Sequence, residues 1–229
     1  MSGSGRRVAK RSRVSRDLIV ETALKISDSS AGLEAVTLRG IANKLGIGTM
    51  TLYGHFQSKD EILDAMADRV MSGIDLPKVD NETPTEALLA VGGALRALMA
   101  EHPSVSWLLS SRVTRSQASM KSAWENVLQR LVNAGIPQET AVRCYGLLIQ
   151  FSLGFAAYQA PRPWGVESGD VGAELRRQQQ HYFAGLPAGD FPLMVSLSPQ
   201  LVELPTEEQY NWGLNVLAQA ITAMCRPRK

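Results

Sequence analysis

Between Gly46 and Met66 the chain reads GIGTMTLYGHFQSKDEILDAM, which sets a phenol, an imidazole and an ammonium group (Tyr53, His55 and Lys59) close together behind a glycine-framed turn. Hydroxyls, a ring N–H and a fixed cation are donors, and donors gathered on a short element suit an anion with many acceptor oxygens. Lys59 is the most telling of them. It stands in the first turn of a helix opened by Ser58, where a cation gains nothing from the helix dipole. A phosphate gives it a reason, because the free amides of the helix start and the ammonium would converge on one anion.

The charge distribution agrees. The 229 residues carry a net charge of +2, yet residues 1–59 hold 10 Lys/Arg against 4 Asp/Glu while residues 60–229 hold 14 against 18. Positive charge gathers at one end, as a polyanion-binding head on a neutral-to-acidic body requires. The arginines from Arg6 to Arg16 serve either solubility or contact with DNA phosphates and the minor groove.

Helices must position these groups. A basic tail low in apolar residues, expected to be disordered, occupies 1–14. Ser15 caps a first helix, Arg16 to Ser27, with Ile19, Val20, Ala23, Leu24 and Ile26 as its apolar stripe. Thr37 caps a second through Leu45, and Gly46 supplies a left-handed stop. A third runs from Gly48 or Thr49 to about Phe56. Ser58 to Glu61 forms a capping box for a fourth, with Ile62, Leu63, Met66 and Val70 inward. After a junction at Ser72 to Glu82, the box Thr83-Pro84-Thr85-Glu86 opens a helix to about Glu101. A short piece covers Ser104 to Ser111. One helix from about Ser116 stops at Gly135, and a long apolar one follows Pro137 to Gln159. Residues 160–205 hold 6 of the 11 prolines and read as an irregular excursion with a helical island at Val171 to Phe183. A box at Thr206 to Gln209 starts the last helix, which ends near Met224. No segment alternates in strand fashion, so the expected fold class is all-α.

The second and third helices, joined by Gly46-Ile47-Gly48, have the proportions of a helix-turn-helix. Leu52 and Phe56 face inward, leaving Thr49, Met50, Thr51, Tyr53, Gly54 and His55 on or beside the outer face. VTLRGIANKLGIGTMTLYGHFQSKDEILDAM, Val36 to Met66, resembles the DNA-binding segment of the tetracycline-repressor (TetR) family of bacterial transcriptional regulators. The resemblance covers residues 15–72 and extends, more weakly, to YNWGLNVLAQAI, Tyr210 to Ile221, in the last helix. It implies a helix-turn-helix DNA-binding domain over 15–72 and a larger regulatory and dimerisation domain over 73–229. It also implies that Arg39, Thr49 and Met50 face bases and that Thr37, Thr51, Tyr53, His55 and Lys59 contact phosphate. Gly48 to Met50 departs from the tetracycline repressors, so operator sequence does not transfer, and Gly40 inside the second helix costs about 1 kcal/mol relative to alanine.

The function this implies is a repressor that binds a palindromic operator in double-stranded DNA as a homodimer and is released by a small-molecule effector. The dimer is expected through Glu139 to Gln159 and Glu207 to Met224, where Gly146, Gly154, Ala156, Ala157, Gly213 and Ala218 allow close helix approach. Trp107, Met120, Trp124, Cys144, Gln150, Phe151, Phe155 and Tyr158 are the candidate effector pocket, with 160–205 as a lid. The alternative is a helical scaffold or adaptor without regulated DNA binding.

Other classes find little support. His55, His102 and His181 are dispersed, and there is no glycine-rich phosphate loop, GxSxG elbow or HExxH pair, so no enzyme, cofactor or metal is expected. Cys144 and Cys225 lie far apart in sequence and are expected to be reduced and structural. The longest nearly apolar run, Leu147 to Tyr158, falls short of the roughly 20 residues of a membrane span, and the N-terminus lacks a secretory apolar stretch, which places the protein in the cytoplasm.

Overall fold

The computed structural model describes residues 14–29 and 32–225, and all regular structure among them is helical. The basic tail expected over 1–14 therefore lies, but for Val14, outside the described residues. The chain divides after Met66 into two compact units.

The first unit contains α1 (Arg16–Ser27), α2 (Leu38–Leu45) and α3 (Thr49–Tyr53), and α4 (Lys59–Ser72) begins in it. Its core takes most of the expected stripes, with Ile19, Ala23, Leu52, Phe56 and Met66 fully buried, adds Ile41 of α2, and leaves Ile26 half-buried. Caps follow the side chains named above, since Ser15 accepts from the Leu18 N–H at 3.2 Å and Thr37 from the Gly40 N–H at 2.9 Å. Two details differ. α3 ends at Tyr53 rather than Phe56, because the His55 and Phe56 N–H groups both turn onto the Leu52 carbonyl, at 2.8 and 2.9 Å. The box at α4 is also shifted: Ser58 Oγ accepts from the Glu61 N–H, but the Glu61 carboxylate returns to the Gln57 N–H, one residue upstream of the cap.

The second unit is built around α5 (Pro84–Glu101), α9 (Gln138–Gln159) and α13 (Glu207–Cys225), with α5 lying against both of the others and α6 (Val105–Ser111) and α8 (Asn126–Asn133) against α9. The box at Thr83 is complete. A Cβ on Gly92 would overlap a methyl of Leu214, which would have to shift, so glycine here favours the close approach of α5 and α13. By length and composition α9 could cross a bilayer, contrary to the sequence expectation. The run counted from Leu147 to Tyr158 omits the first three turns of the helix, where Ala141, Val142 and Cys144 add apolar character. It packs against α5, α6, α8 and α13, with 33% of its most apolar window buried.

The single helix expected from Ser116 is three pieces: α7 (Gln117–Ser119), a π-helical stretch Met120–Glu125, and α8. The buried positions are Ser119, Ala123, Val127 and Leu131, four residues apart each time. An α-helix advances 40° beyond a full turn over four residues, so the stripe would drift off the core; a wider π turn brings it back. The Asp68 carboxylate at the end of α4 holds the start of this run. It accepts from the Arg115 N–H (2.9 Å), the Ser116 N–H (3.1 Å) and the Ser119 hydroxyl (2.7 Å).

The stretch 160–205 is more helical than its prolines suggest. It holds a 3-10 turn Pro163–Gly165, α10 (Gly169–Ala184), α11 (Pro192–Ser196) and α12 (Ser198–Leu201). Pro163, Pro192 and Pro199 occupy first-turn positions, where the missing N–H is no loss, so they start helices rather than break them. The box expected at Thr206 is weak, with the Gln209 N–H 3.5 Å from the Thr206 hydroxyl.

Candidate nucleic-acid interface and ligand groove

The head presents the predicted residues as one set of accessible groups. Thr37, Arg39, Thr49, Met50, Thr51, Tyr53 and Lys59 are exposed, and His55 is half-buried. Met50 is 78% exposed, too open for a residue held by packing, while its neighbour Leu52 is fully buried and anchors the short helix that carries it. Arg39 is the second residue of α2, directly behind the Thr37 cap. The glycine that sequence reasoning marked as costly has a local cause: a Cβ at Gly40 would sit 3.0 Å from the Thr37 hydroxyl that caps the helix.

Arg16 is not a free tail cation. Its guanidinium lies 3.9 Å from the Phe56 ring centre, donates to Glu61 Oε1 at 2.9 Å and also reaches the His55 carbonyl. This ties α1 to the turn between α3 and α4 and fixes the height of Tyr53 and Lys59. Arg6, Arg7, Arg11 and Arg13 lie outside the described residues. The Glu61 carboxyl is held below its usual range, first by the Gln57 N–H and then by Arg16. A lowered folded value stabilises above the ordinary carboxylate pKa and loses that contribution as pH falls through it. The melting-temperature gap between wild type and Glu61→Gln is therefore expected to close between about pH 5 and about pH 3; a gap that persists at acid pH excludes the ion pair as its source.

In the body, four of the eight pocket candidates gather. Gln150, Phe151, Phe155 and Tyr158 line an open groove of about 440 Å³ on the outer side of α9, bordered by Leu204 and Gln209. The other four do not line it. Cys144 is buried in the core, where burial first and then Cys225 push its thiol pKa up, and both thiols are free. Trp124 packs edge-on against Tyr145, 5.0 Å between centres, and Trp107 and Met120 are surface residues.

Sequence reasoning missed the polar cluster behind this groove. Arg96, buried to 8% exposure, donates to the Gln159 carboxamide oxygen at 2.6 Å and to the Glu207 carboxylate. The Tyr210 hydroxyl donates to the Gly92 carbonyl at 2.8 Å and meets the Ser152 hydroxyl at 2.8 Å, while its ring stacks on Phe151. Only the position of Tyr210 on a helical stripe hinted at burial, and nothing in one dimension pairs residues 58 to 118 apart. Among the described residues no three His, Cys, Asp or Glu side chains are grouped as a metal would need.

A helix-turn-helix head with exposed donors, joined to a larger helical body with a groove, defines a DNA-binding regulator of transcription with a sensing domain. Two family models match the chain: "Tetracyclin repressor-like, C-terminal domain" over residues 76–225 and "Bacterial regulatory proteins, tetR family" over residues 29–66. The chain belongs to the TetR family of bacterial transcriptional regulators. Among curated relatives, the HTH-type transcriptional repressor DrrR1 of Streptomyces coeruleorubidus is 29% identical over 218 residues, covering 93% of this chain and 79% of that one. The tetracycline repressor protein class D of Escherichia coli is 35% identical over 60 residues, 26% of this chain and 27% of that one. Among solved structures, ActR of Streptomyces coelicolor in complex with actinorhodin superposes with a TM-score of 0.76 at 27% identity, covering 93% and 97% of the two chains. The same protein in complex with (S)-DNPA gives 0.75 at 26% identity, covering 93% and 99%. The chain is thus a DNA-binding transcriptional repressor, and regulators of this family are transcription factors, not enzymes.

Proposed function

We propose that the chain binds a palindromic operator as a homodimer, with residues 15–72 as the reading head and 73–229 as the dimerisation and sensing body. The observation that carries this is the exposed face of α3 and the helix starts beside it. Arg39 pairs with guanine, Thr49 and Met50 meet base edges, and Thr37, Thr51, Tyr53, His55 and Lys59 hold phosphates. Lys59 is exposed in the first turn of α4, where its ammonium meets one phosphate.

One head covers one half-site, so two must stand about 34 Å apart across successive major grooves. The outer faces of α9 and α13 support the pairing, because Leu147, Trp212 and Val216 are 40% to 64% exposed on them. The small residues expected there divide. Ala156 and Ala218 are buried inside the subunit, Gly213 lies against Phe151 and Gly154 lines the groove, so Gly146 and Ala157 remain for the partner. An effector in the groove at Gln150, Phe151, Phe155 and Tyr158 favours a body conformation that turns α4 and moves the two α3 helices out of groove spacing. The loss of DNA affinity equals the effector's preference for that conformation and no more.

The test is selection of bound sequences from a random duplex pool, followed by titration of the winner at several salt concentrations. A palindrome is expected, with a steep salt slope that the Tyr53→Ala, Lys59→Ala double variant flattens by about one per subunit, the share of the lost Lys59 cation. Enrichment of no sequence, or a variant slope equal to wild type, sinks the reading.

A further inference from the structure

The connector that follows α4 and one face of α8 enclose a second recess, of about 420 Å³, which shares no residue with the groove on α9. Glu82 and Arg130 form part of its wall. Their side chains are 8% and 12% exposed, they pair through two parallel bonds, and Arg130 ties the connector to α8 by donating to the Pro77 carbonyl at 2.9 Å. The remaining charged residues around the recess, Lys78 and Asp80, are one of each sign, so its lining has no net charge.

From Asn126, the positions Gln129, Arg130 and Asn133 follow at three, four and seven residues, which places all four on one face of α8. The core is filled by Val127 and Leu131 instead. Gln129 Nε2 donates to Asn133 Oδ1 at 2.8 Å, which leaves the Gln129 oxygen as an acceptor and the Asn133 N–H groups as donors. The carboxamide of Asn126 meets no partner among the described residues. Nor does that of Asn81 on the connector, whose φ of 57° is the single left-handed non-glycine backbone among them.

These groups select by charge and by shape. A carboxylate held by a bidentate arginine keeps two lone pairs, so Glu82 can accept from two more donors without a second cation. A charged ligand would set an unanswered charge beside a pair that is already balanced, whereas a neutral one would not. No aromatic residue lines the recess, so a flat ring system has nothing to stack on, while Leu76, Pro77 and Ala134 offer aliphatic surface. Adjacent hydroxyls, each donor and acceptor at once, match carboxamides that present both. We propose that this recess binds a neutral polyol of monosaccharide size, whose adjacent hydroxyls bridge the carboxamides of α8 and the free lone pairs of Glu82. The volume lies in the range of small-molecule sites. This site goes beyond the regulator reading and depends neither on operator binding nor on the groove at α9. Occupation joins the connector to α8, as Arg130 already does, and so stabilises the body.

The test titrates the full chain with D-glucose, D-galactose, D-mannose and myo-inositol, and with the uronates and 2-amino sugars of the three hexoses as charged counterparts. Affinity is read by calorimetry, and its place by the side-chain amide resonances of Asn126, Gln129 and Asn133 in nitrogen-labelled protein. At least one neutral probe is expected to bind with a Kd of about 1 mM or below and to shift those resonances, with charged sugars at least about tenfold weaker. The Asn126→Ala, Asn133→Ala double variant changes two exposed residues. It is expected to melt within about 2 °C of wild type and to lose about tenfold or more in affinity. Asn126→Leu alone, which keeps the volume but not the hydrogen bonds, is expected to weaken binding several-fold. The proposal is overturned if no neutral probe binds at about 50 mM, if binding leaves the three amide resonances unmoved, if charged sugars bind as well or better, or if both variants keep the wild-type affinity. None of these readouts involves DNA, so they stand whatever the operator selection returns.

Discussion

Arg130→Met is expected to lower the stability of the body by about 3–5 kcal/mol, the largest single-residue effect on folding outside the apolar core. Arg130 on α8 holds the Glu82 carboxylate through two parallel bonds, Nε to Oε2 at 2.8 Å and Nη2 to Oε1 at 2.5 Å, and its third nitrogen donates to the Pro77 carbonyl at 2.9 Å. Both side chains are largely out of water, at 12% and 8% exposure. Removing the guanidinium leaves the Glu82 carboxylate, at 8% exposure, without its bidentate partner, and it releases the connector between α4 and α5 from the surface of α8. At about 2–4 °C per kcal/mol for a chain of this size, the melting temperature should fall by roughly 10 °C. Circular dichroism melts of the variant and of Glu82→Gln, Arg130→Met together decide the cause. The double variant should recover part of the loss, because no charge is then left unpaired. A single variant that melts within about 2 °C of wild type would mean that the pair adds nothing beyond its geometry.

The second large effect falls on DNA. Arg39→Ala is expected to weaken operator binding by about 1–3 kcal/mol per half-site, and a two-fold dimer counts it twice. Because a guanidinium reads guanine by two hydrogen bonds, the loss should be confined to sequences that carry the cognate base, and the preference at that position should relax. Lys59→Ala should behave otherwise, weakening all sequences alike and reducing the salt slope by about one per subunit. Titration of both variants against the selected operator and its single-base variants separates the two roles. If Arg39→Ala weakens every duplex equally, Arg39 is a phosphate contact, and base reading must come from Thr49 and Met50 alone.

Much of the head was legible because its signals are local. Ser15 and Thr37 act on amides three residues away, Gly46 adopts its left-handed turn at φ 65°, and Leu52 against Met50 is a matter of two positions on one helix. The limits of the reading appear where one residue has two possible partners. The Glu61 carboxylate chose Gln57 and Arg16 over the Ser58 amide, because Arg16, 45 residues away, is brought beside it by the packing of α1. Prolines in 160–205 were counted as breakers when their positions in first turns made them starters, a distinction that depends on where the preceding chain is already fixed.

By itself the sequence determined the all-helical class, the head with its exposed donors, the helix starts and the two apolar helices of the body, since each follows from spacing along one chain. The tertiary structure alone decided which polar groups left water. Arg96 meets Gln159, Glu207, Phe155 and Tyr210 only because α5, α9 and α13 cross at Gly92, and Asp68 caps the run at Ser116 only because a π turn keeps a four-residue stripe against the core. Burial and pairing are properties of position in space. A polar residue in an apolar stripe looks the same in sequence whether it ends at a surface, in a plain core or beside a ligand groove.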